Sequence, residues 1–311
     1  MAGHGDITGL GHGAGGSVSV RMGISTPVVL EIPGRSAEWE RTAGIAEIAR
    51  IAETADRLGF DHVTCSEHVA LATTTTSGML GGSRGTRYWD PLATLSYLAA
   101  RTERIRLCPS VLVLGYHHPL AIAKRYGTLD TMSGGRVVLG VGVGTAREEF
   151  DLLGASFSDR GRRADDAIAA LRAAWGRREP EFSGRYYEFS GMVVDPHAVR
   201  ERAPIWVGGI SDAALHRALT LGDGWIPAAV APETLRARLA DHDLPPEFDV
   251  VVGTAEALDP IQDLACAEQI IERLADAGST IVQPRIRHKS LGHYLEQLDA
   301  LSRLSCFARS T

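Results

Sequence analysis

The sequence has few cysteines and no excess of basic residues, and each shortage excludes a class of protein. Its four cysteines, Cys65, Cys108, Cys266 and Cys306, are scattered, without a C-x-x-C pair or a Cys/His cluster at metal-ligand spacing. We therefore expect buried, reduced thiols and no metal site. The formal net charge of -6 leaves no broad basic surface, which disfavours a nucleic-acid partner because such binding depends on contacts to phosphates.

The chain also lacks any apolar run of the roughly 20 residues that span a bilayer. Residues 1–17, MAGHGDITGLGHGAGGS, lack the basic start and apolar core of a signal peptide. We predict that they form a disordered tail rich in glycine and histidine. With 44% hydrophobic and 23% charged residues, the rest has the composition of a globular protein. These features predict a cytoplasmic protein with no membrane partner.

From residue 18 onward, short apolar runs alternate with longer stretches of helical periodicity. In EWERTAGIAEIARIAETADRLG, for example, Ala46, Ala49, Ala52 and Ala55 recur at i+3 spacing, and Gly59 marks the end. Eight such strand and helix units predict an α/β fold, a single (β/α)8 TIM barrel over residues 18–311. A doubly wound sheet is the alternative. The segment FSGRYYEFSG predicts a small inserted β-hairpin.

In such a barrel, active sites lie at the carboxyl ends of the strands. The second predicted strand ends in Cys65-Ser66-Glu67-His68, which places a carboxylate and an imidazole at this rim. Because imidazoles titrate near neutral pH, His68 suits proton transfer. The alternative is that Glu67 and His68 only cap the following loop.

The fourth predicted strand lies in GRVVLGVGVGTAREEF, where Gly140, Gly142 and Gly144 are spaced G-x-G-x-G. A dinucleotide fingerprint needs G-x-G-x-x-G, so a nucleotide phosphate is not indicated. The glycines either leave room for a flat ligand or permit tight packing of the strand. Thr145 follows directly.

Two further rim segments are candidates. Gly208-Gly209-Ile210-Ser211 precedes a predicted helix, whose amino-terminal N–H groups can hold a phosphate. His117-His118 precedes Pro119, and we interpret this pair as the start of a helix and not as metal ligands.

Two long segments carry a resemblance to a known family. HHPLAIAKRYGTLDTMSGGRVVLGVGVGTAREEFDLLGASFSDRGRRADDAI and APIWVGGISDAALHRALTLGDGWIP resemble the bacterial luciferase-like monooxygenase superfamily, and within it the branch that uses the deazaflavin coenzyme F420. The resemblance covers nearly everything after the tail and implies the same barrel.

The resemblance also implies roles for the rim residues. It implies a non-prolyl cis peptide at Ser110-Val111 that supports the cofactor ring from behind, and catalytic roles for His68 and Glu67. The cofactor-binding positions that it implies are Ser66, Glu67, Ser110, Val111, Gly142, Gly144, Thr145, Gly208, Gly209, Ile210 and Ser211. Thr145 departs from the glutamate that sugar-phosphate dehydrogenases of this family have there, so their acid/base scheme is not carried over.

We therefore expect an F420-dependent oxidoreductase that transfers hydride between the deazaflavin C5 and a small organic substrate. The alternatives are an FMNH2-dependent monooxygenase with a separate reductase, and a catalytically idle flavin-binding protein. The resemblance also implies a homodimer. Arg147, Arg160 and Arg163 either attract the acidic tail of F420 or form an ordinary solvated face.

Overall fold

The computed structural model describes residues 19–71 and 85–310. The predicted tail at residues 1–17 and most of the predicted loop at 70–87 lie outside the described residues. The helices are α1 (Ile45–Leu58), α2 (Pro91–Ala99), α3 (Pro119–Met132), α4 (Arg147–Leu152), α5 (Arg160–Ala174), α6 (Asp212–Leu221), α7 (Pro232–Leu239), α8 (Leu264–Asp276) and α9 (Leu291–Leu301).

Most of the strands alternate with these helices along the chain. They are β1 (Val20–Met22), β2 (His62–Cys65), β3 (Arg106–Pro109), β4 (Leu112–Val113), β5 (Leu139–Gly142), β6 (Phe182–Ser183), β7 (Glu188–Phe189), β8 (Ile205–Gly208), β9 (Gly224–Ala229), β10 (Asp249–Leu258), β11 (Ile281–Ile286) and β12 (Phe307–Ala308).

The parallel strands follow one another around a ring. One sheet has the order β12-β1-β11-β10-β9-β8-β5-β4, and β2 pairs with β3 beside it. Parallel bridges join the β2-β3 pair to that sheet on both sides: one runs from Ile24, just after β1, to Val63 of β2, and the other from Leu107 of β3 to Val137, just before β5. The predicted (β/α)8 barrel is confirmed, because a doubly wound sheet would reverse its strand order at a switch point.

Local signals place the helix ends as the sequence predicts. Gly59 ends α1 in the left-handed region at φ 88°, where glycine has no Cβ to clash. Pro119 begins α3, and the His118 side chain caps it by accepting the N–H of Leu120 at 3.2 Å. His118 thus has the predicted role at a helix start.

The inserted hairpin is confirmed, with β6 and β7 antiparallel and Phe182 opposite Phe189. Asp166 of α5 fixes its turn by accepting the N–H groups of Arg185, Tyr186 and Tyr187. The sequence did not predict α4, which is less than two turns long, or the two-residue β12.

The amino end of the barrel is closed by ion pairs around a cavity of about 430 Å³. Four arginines line it and each binds an aspartate: Arg21 with Asp61 and Asp249, Arg106 with Asp61, Arg200 with Asp130, and Arg202 with Asp223. Each arginine charge is therefore compensated by an aspartate, and the amino end of such a barrel contributes to stability. We therefore assign the cavity a structural role. Within the described ranges, no helix has the length and apolar character needed to cross a membrane.

We expect the free energy of unfolding to fall as the pH decreases from about 6.5 to 4. Trp39 Nε1 donates to His288 Nδ1 at 3.0 Å, and burial lowers the pKa of His288 to about 4. As the pH falls, His288 of the unfolded chain therefore binds a proton near pH 6.5, whereas His288 of the folded protein stays neutral until about pH 4. This difference in pKa corresponds to a loss of about 3 kcal/mol in the free energy of unfolding.

Urea unfolding at several pH values measures this loss. His288→Gln, whose amide oxygen can still accept from Trp39, should remove most of the His288 contribution at pH 4 to 5. An unchanged pH dependence in that variant would contradict the assignment to His288.

Candidate active site

The predicted rim residues follow four neighbouring positions of the ring: β2, β3, β5 and β8. Because the strands are parallel, their carboxyl ends meet at one end of the barrel. Side-chain and backbone contacts described below join Ser66, Ser110, Val111, Gly142 and Gly208 directly. The structure therefore brings together residues that are up to 142 positions apart in the chain.

A bulge interrupts the third strand position between β3 and β4. The Ser110-Val111 peptide is cis, although Val111 is not a proline, and this prediction is confirmed. Ser66 Oγ donates to Ser110 O at 2.9 Å, and Ser110 N donates to Cys65 O at 2.8 Å. The end of β2 thus holds the bulge on one side.

Glycines hold the bulge on the other side. A Cβ on Gly142 would lie 2.5 Å from Val111 Cγ2, and one on Gly208 would lie 2.6 Å from Val111 Cγ1. The two glycines form a notch that receives the Val111 side chain. A Cβ on Gly144 would lie 2.7 Å from both Val113 Cγ1 and the Phe150 ring.

These glycines therefore leave no room for a flat ring in the space that their side chains would occupy, and the prediction of such room is wrong there. The bulge of the neighbouring strand turns Val111 over Gly142, so protein atoms fill that space, and the tight-packing alternative is confirmed. Contact between a cofactor and the backbone of Gly142 or Gly144 stays a prediction. Val111 itself is only partly buried.

His68 is oriented by a buried carboxylate. Its Nδ1 lies 2.6 Å from Glu149 Oε2; the Glu149 side chain is fully buried, and that of His68 is 18% exposed. The His68 ring also packs edge-on against Tyr88, with 4.4 Å between centroids. A partly exposed imidazole whose inner nitrogen binds a carboxylate has the arrangement of a positioned general base.

Glu149 receives four hydrogen bonds. Besides His68, Val69 N donates to Oε1 at 2.8 Å, Ala70 N to Oε1 at 3.3 Å, and the Tyr116 hydroxyl to Oε2 at 3.1 Å. Burial raises the pKa of Glu149, but these hydrogen bonds and the attraction of His68 outweigh it, so the pKa is lowered. An ionised carboxylate only accepts hydrogen bonds, so His68 Nδ1 carries the proton.

Glu67 has different partners from its neighbour. Its Oε2 accepts from Val113 N at 2.6 Å, and its Oε1 lies 2.6 Å from His117 Nε2. Glu67 is 7% exposed, so it connects the end of β2 to the strand beyond the bulge. Sequence reasoning groups Glu67 with His68; the structure instead turns the two side chains toward different elements. The predicted catalytic and cofactor contacts of Glu67 stay predictions.

The predicted phosphate turn lies at the start of α6. Ser211 caps this helix by accepting the N–H of Ala214 at 3.2 Å, and Ile210 and Ser211 are exposed. Gly209 has φ 128°, a conformation that favours glycine. Thr145 is exposed beyond β5. The described ranges contain no group of three or more histidine, cysteine, aspartate or glutamate side chains that could hold a metal.

Sequence reasoning missed Glu149 and assigned His117 only to a helix start. Ala146, Glu149 and Phe150 stand at i, i+3 and i+4, and all three are buried. This spacing gives a short helix a buried face that contains a carboxylate, and it is the signal that could have identified Glu149. No local signal pairs His117 with Glu67, which lies 50 residues earlier.

Comparisons with known proteins agree with this fold. An F420-dependent glucose-6-phosphate dehydrogenase of Nakamurella multipartita is 30% identical over 225 residues, which cover 71% of this chain and 62% of that protein. The F420-dependent tetrahydromethanopterin reductase of Methanopyrus kandleri superposes with a TM-score of 0.70 at 16% identity, covering 92% of this chain and 98% of that one. The monooxygenase RslO1 of Streptomyces bottropensis gives a TM-score of 0.69 at 20% identity, with 92% and 98% covered.

At these identities the two solved structures show the fold alone. The family model of the luciferase-like monooxygenases, however, matches residues 21–285, which is most of the chain. The predicted recognition and the predicted oxidoreductase class are confirmed: the chain belongs to the luciferase-like monooxygenase family.

Proposed function

We propose that this protein is an F420-dependent oxidoreductase acting on a small organic substrate. One observation carries the proposal: buried Glu149 holds His68 at the open end of the barrel. His68 lies next to the end of β2, which binds the Ser110-Val111 bulge. The F420-dependent relative from Nakamurella multipartita supports this choice of cofactor. The glucose-6-phosphate substrate of that relative is not transferred, because the matched part spans only 62% of it.

The residues at the mouth fit a flat ring with a phosphate-bearing side chain. Val111, seated in the notch of Gly142 and Gly208, offers a partly exposed apolar surface for one face of the ring. The turn from Gly208 to Ser211, at the start of α6, offers N–H groups for the phosphate. F420, when bound, supplies a deazaflavin C5 that exchanges hydride with the substrate.

The protein's own contribution is orientation and proton transfer. Glu149 keeps the proton of His68 on Nδ1, so Nε2 is the nitrogen that can accept a proton. It accepts the proton from a substrate hydroxyl or amine, and it returns the proton in the reverse direction. Ser66, through Ser110 O, keeps the bulge in place below the ring. We propose that the predicted homodimer and small-molecule substrate apply to this protein as well.

Side-by-side binding of F420 and FMN tests the proposal. We expect micromolar or tighter F420 binding and at least about tenfold weaker FMN binding, which corresponds to about 1.4 kcal/mol. Quenching of tryptophan and cofactor fluorescence measures both constants. His68→Gln should leave F420 affinity within about threefold of the native value, because His68 serves the substrate side.

The other outcomes point to the alternative functions. A preference for FMN would replace the proposal with a reduced-FMN monooxygenase that needs a separate reductase. Binding of F420 without turnover of any enone, imine or alcohol substrate would favour an idle flavin-binding protein.

A further inference from the structure

Three polar side chains, Asp61, His62 and Gln283, form a hydrogen-bonded chain inside the barrel. His62, at the start of β2, is fully buried, and its Nδ1 lies 2.7 Å from Asp61 Oδ1. The other nitrogen of the imidazole, Nε2, lies 2.6 Å from Nε2 of Gln283 on β11. The chain therefore connects the beginning of β2 with the wall that β11 forms.

Packing holds the imidazole of His62 in one orientation. A Cβ on Gly23, just after β1, would lie 2.1 Å from His62 Cε1, so the imidazole occupies the space next to this glycine. The ring of Trp206 on β8 packs edge-on against the imidazole, with 5.0 Å between centroids. Residues from separate strands thus direct the two nitrogens of His62 toward Asp61 and Gln283.

The protonation of this chain determines which way the amide of Gln283 points. Burial raises the pKa of Asp61, but the hydrogen bond to His62 and the attraction of Arg106 outweigh it, so the pKa is lowered. An ionised carboxylate only accepts hydrogen bonds, so His62 Nδ1 carries the proton. Burial lowers the pKa of His62, so the imidazole is neutral and its Nε2 is an acceptor. Gln283 therefore donates to Nε2 with its NH2 group, and its Oε1 points away from His62.

The exposure of the residues along β11 places Gln283 at the bottom of the mouth of the barrel. Ile281, Gln283 and Arg285 stand at alternate positions, so they share one face of the strand. The contact with His62 shows that this face is the interior one. Ile281 is fully buried, Gln283 is partly buried and Arg285 is exposed, so Gln283 is accessible from the mouth. Within residues 19–71 and 85–310, Oε1 of Gln283 has no hydrogen-bond partner and is not buried.

Gln283 stands across the mouth from the bulge that carries Val111. Between β11 and the strand position of the bulge lie β1 and β2. In a ring of eight strand positions, three steps lead nearly to the opposite wall. A cofactor ring seated on Val111, as proposed above, leaves its other face toward Gln283, and the substrate lies between the two. Oε1 is thus placed to meet the substrate.

We propose that Gln283 determines substrate specificity by accepting a hydrogen bond from a second donor group, a hydroxyl or an amine, on the substrate. This inference rests on the proposed function and names its substrate class: small alcohols, or the corresponding ketones, that carry a further hydroxyl or amino group. A substrate without that group displaces water from Oε1 and leaves it unpaired, which weakens binding. His62 and Asp61 are positioning residues, because they prevent the amide from turning its NH2 group toward the mouth.

Paired substrates test the inference. Isopropanol and cyclohexanol carry one hydroxyl, whereas glycerol and the cyclohexanediols carry a further donor; each alcohol is assayed with F420 and each matching ketone with reduced F420. In the native protein we expect kcat/KM to be about 30-fold higher for the second group. Q283L, whose side chain accepts no hydrogen bond, should reduce this ratio to about one and keep F420 affinity within about threefold of native. Q283E, which keeps an accepting oxygen, should retain the preference.

Gln269→Leu is the matched control, because it makes the same change on the exposed surface of α8. It should keep the native ratio. The side-chain amide resonance of Gln283, identified by its loss in Q283E, gives a readout that depends neither on turnover nor on the folding of Q283L. In the F420-loaded native protein, glycerol should shift this resonance and isopropanol should not.

Three results would overturn the role of Gln283 and leave F420 as the cofactor. They are an equal kcat/KM for the two groups of substrates in the native protein, no shift of the amide resonance with glycerol, and a large loss of F420 affinity in Q283L. The last result would assign Gln283 to the cofactor and not to the substrate. Failure of the native protein to bind F420 would overturn the proposed function and this inference together.

Discussion

Replacing Glu149 with glutamine is expected to lower the turnover number about 100-fold, with little change in cofactor affinity. Oε1 of the native carboxylate accepts from Val69 N and Ala70 N, so the glutamine oxygen takes that side. Its NH2 group then donates toward His68 Nδ1, which moves the imidazole proton to Nε2. His68 becomes a donor where the reaction needs an acceptor.

Steady-state kinetics with a substrate from the screen measure the loss, and ¹⁵N NMR of the histidine rings reports the tautomer of His68. Asp151→Asn, an exposed change of the same kind on α4, is the control and should stay near native activity. If Glu149 acts through His68, the double variant E149Q/H68Q should be no slower than H68Q. Independent, additive losses would show that Glu149 does not position His68.

Replacing Gly208 with alanine should destabilise the protein by about 2 kcal/mol, because the new Cβ would lie 2.6 Å from Val111 Cγ1. Val111→Ala removes that methyl group and leaves Val141 O, at 3.4 Å, as the nearest atom. In the V111A background the same Gly208 change should therefore cost less than about 0.5 kcal/mol. Displacement of Val111 should also weaken F420 binding about tenfold.

Urea unfolding of the four proteins in this cycle measures the coupling between the two positions. Gly253→Ala is the control, since its Cβ would meet atoms no closer than 3.8 Å. It should cost much less than Gly208→Ala. If G208A destabilises the V111A background as much as the native protein, the notch does not hold Val111.

The two predictions concern one assembly with two supports. Glu149 fixes the group that handles the proton, and the glycine notch fixes the bulge that we propose to support the ring. Loss of the first should change kcat at nearly constant stability. Loss of the second should lower both stability and cofactor affinity, so the measurements distinguish the two supports.

Much of the fold could be read from local pattern. Periodicity marked the strand and helix units, Pro119 and Gly59 marked helix ends, and FSGRYYEFSG marked the hairpin. These signals are local because backbone conformation depends on neighbouring residues and on which face is apolar. The barrel then dictates that strand ends such as Ser66 to His68 share one rim.

The partners of those rim residues were decided only by the tertiary structure. His68 binds Glu149, 81 residues later, while Glu67 binds His117, 50 residues later. Likewise Val111, not an open space, explains Gly142 and Gly208. The sequence by itself determined which residue types reach the mouth of the barrel. The direction of each side chain depends on bulges and on packing between strands far apart in the chain, and no local pattern encodes that.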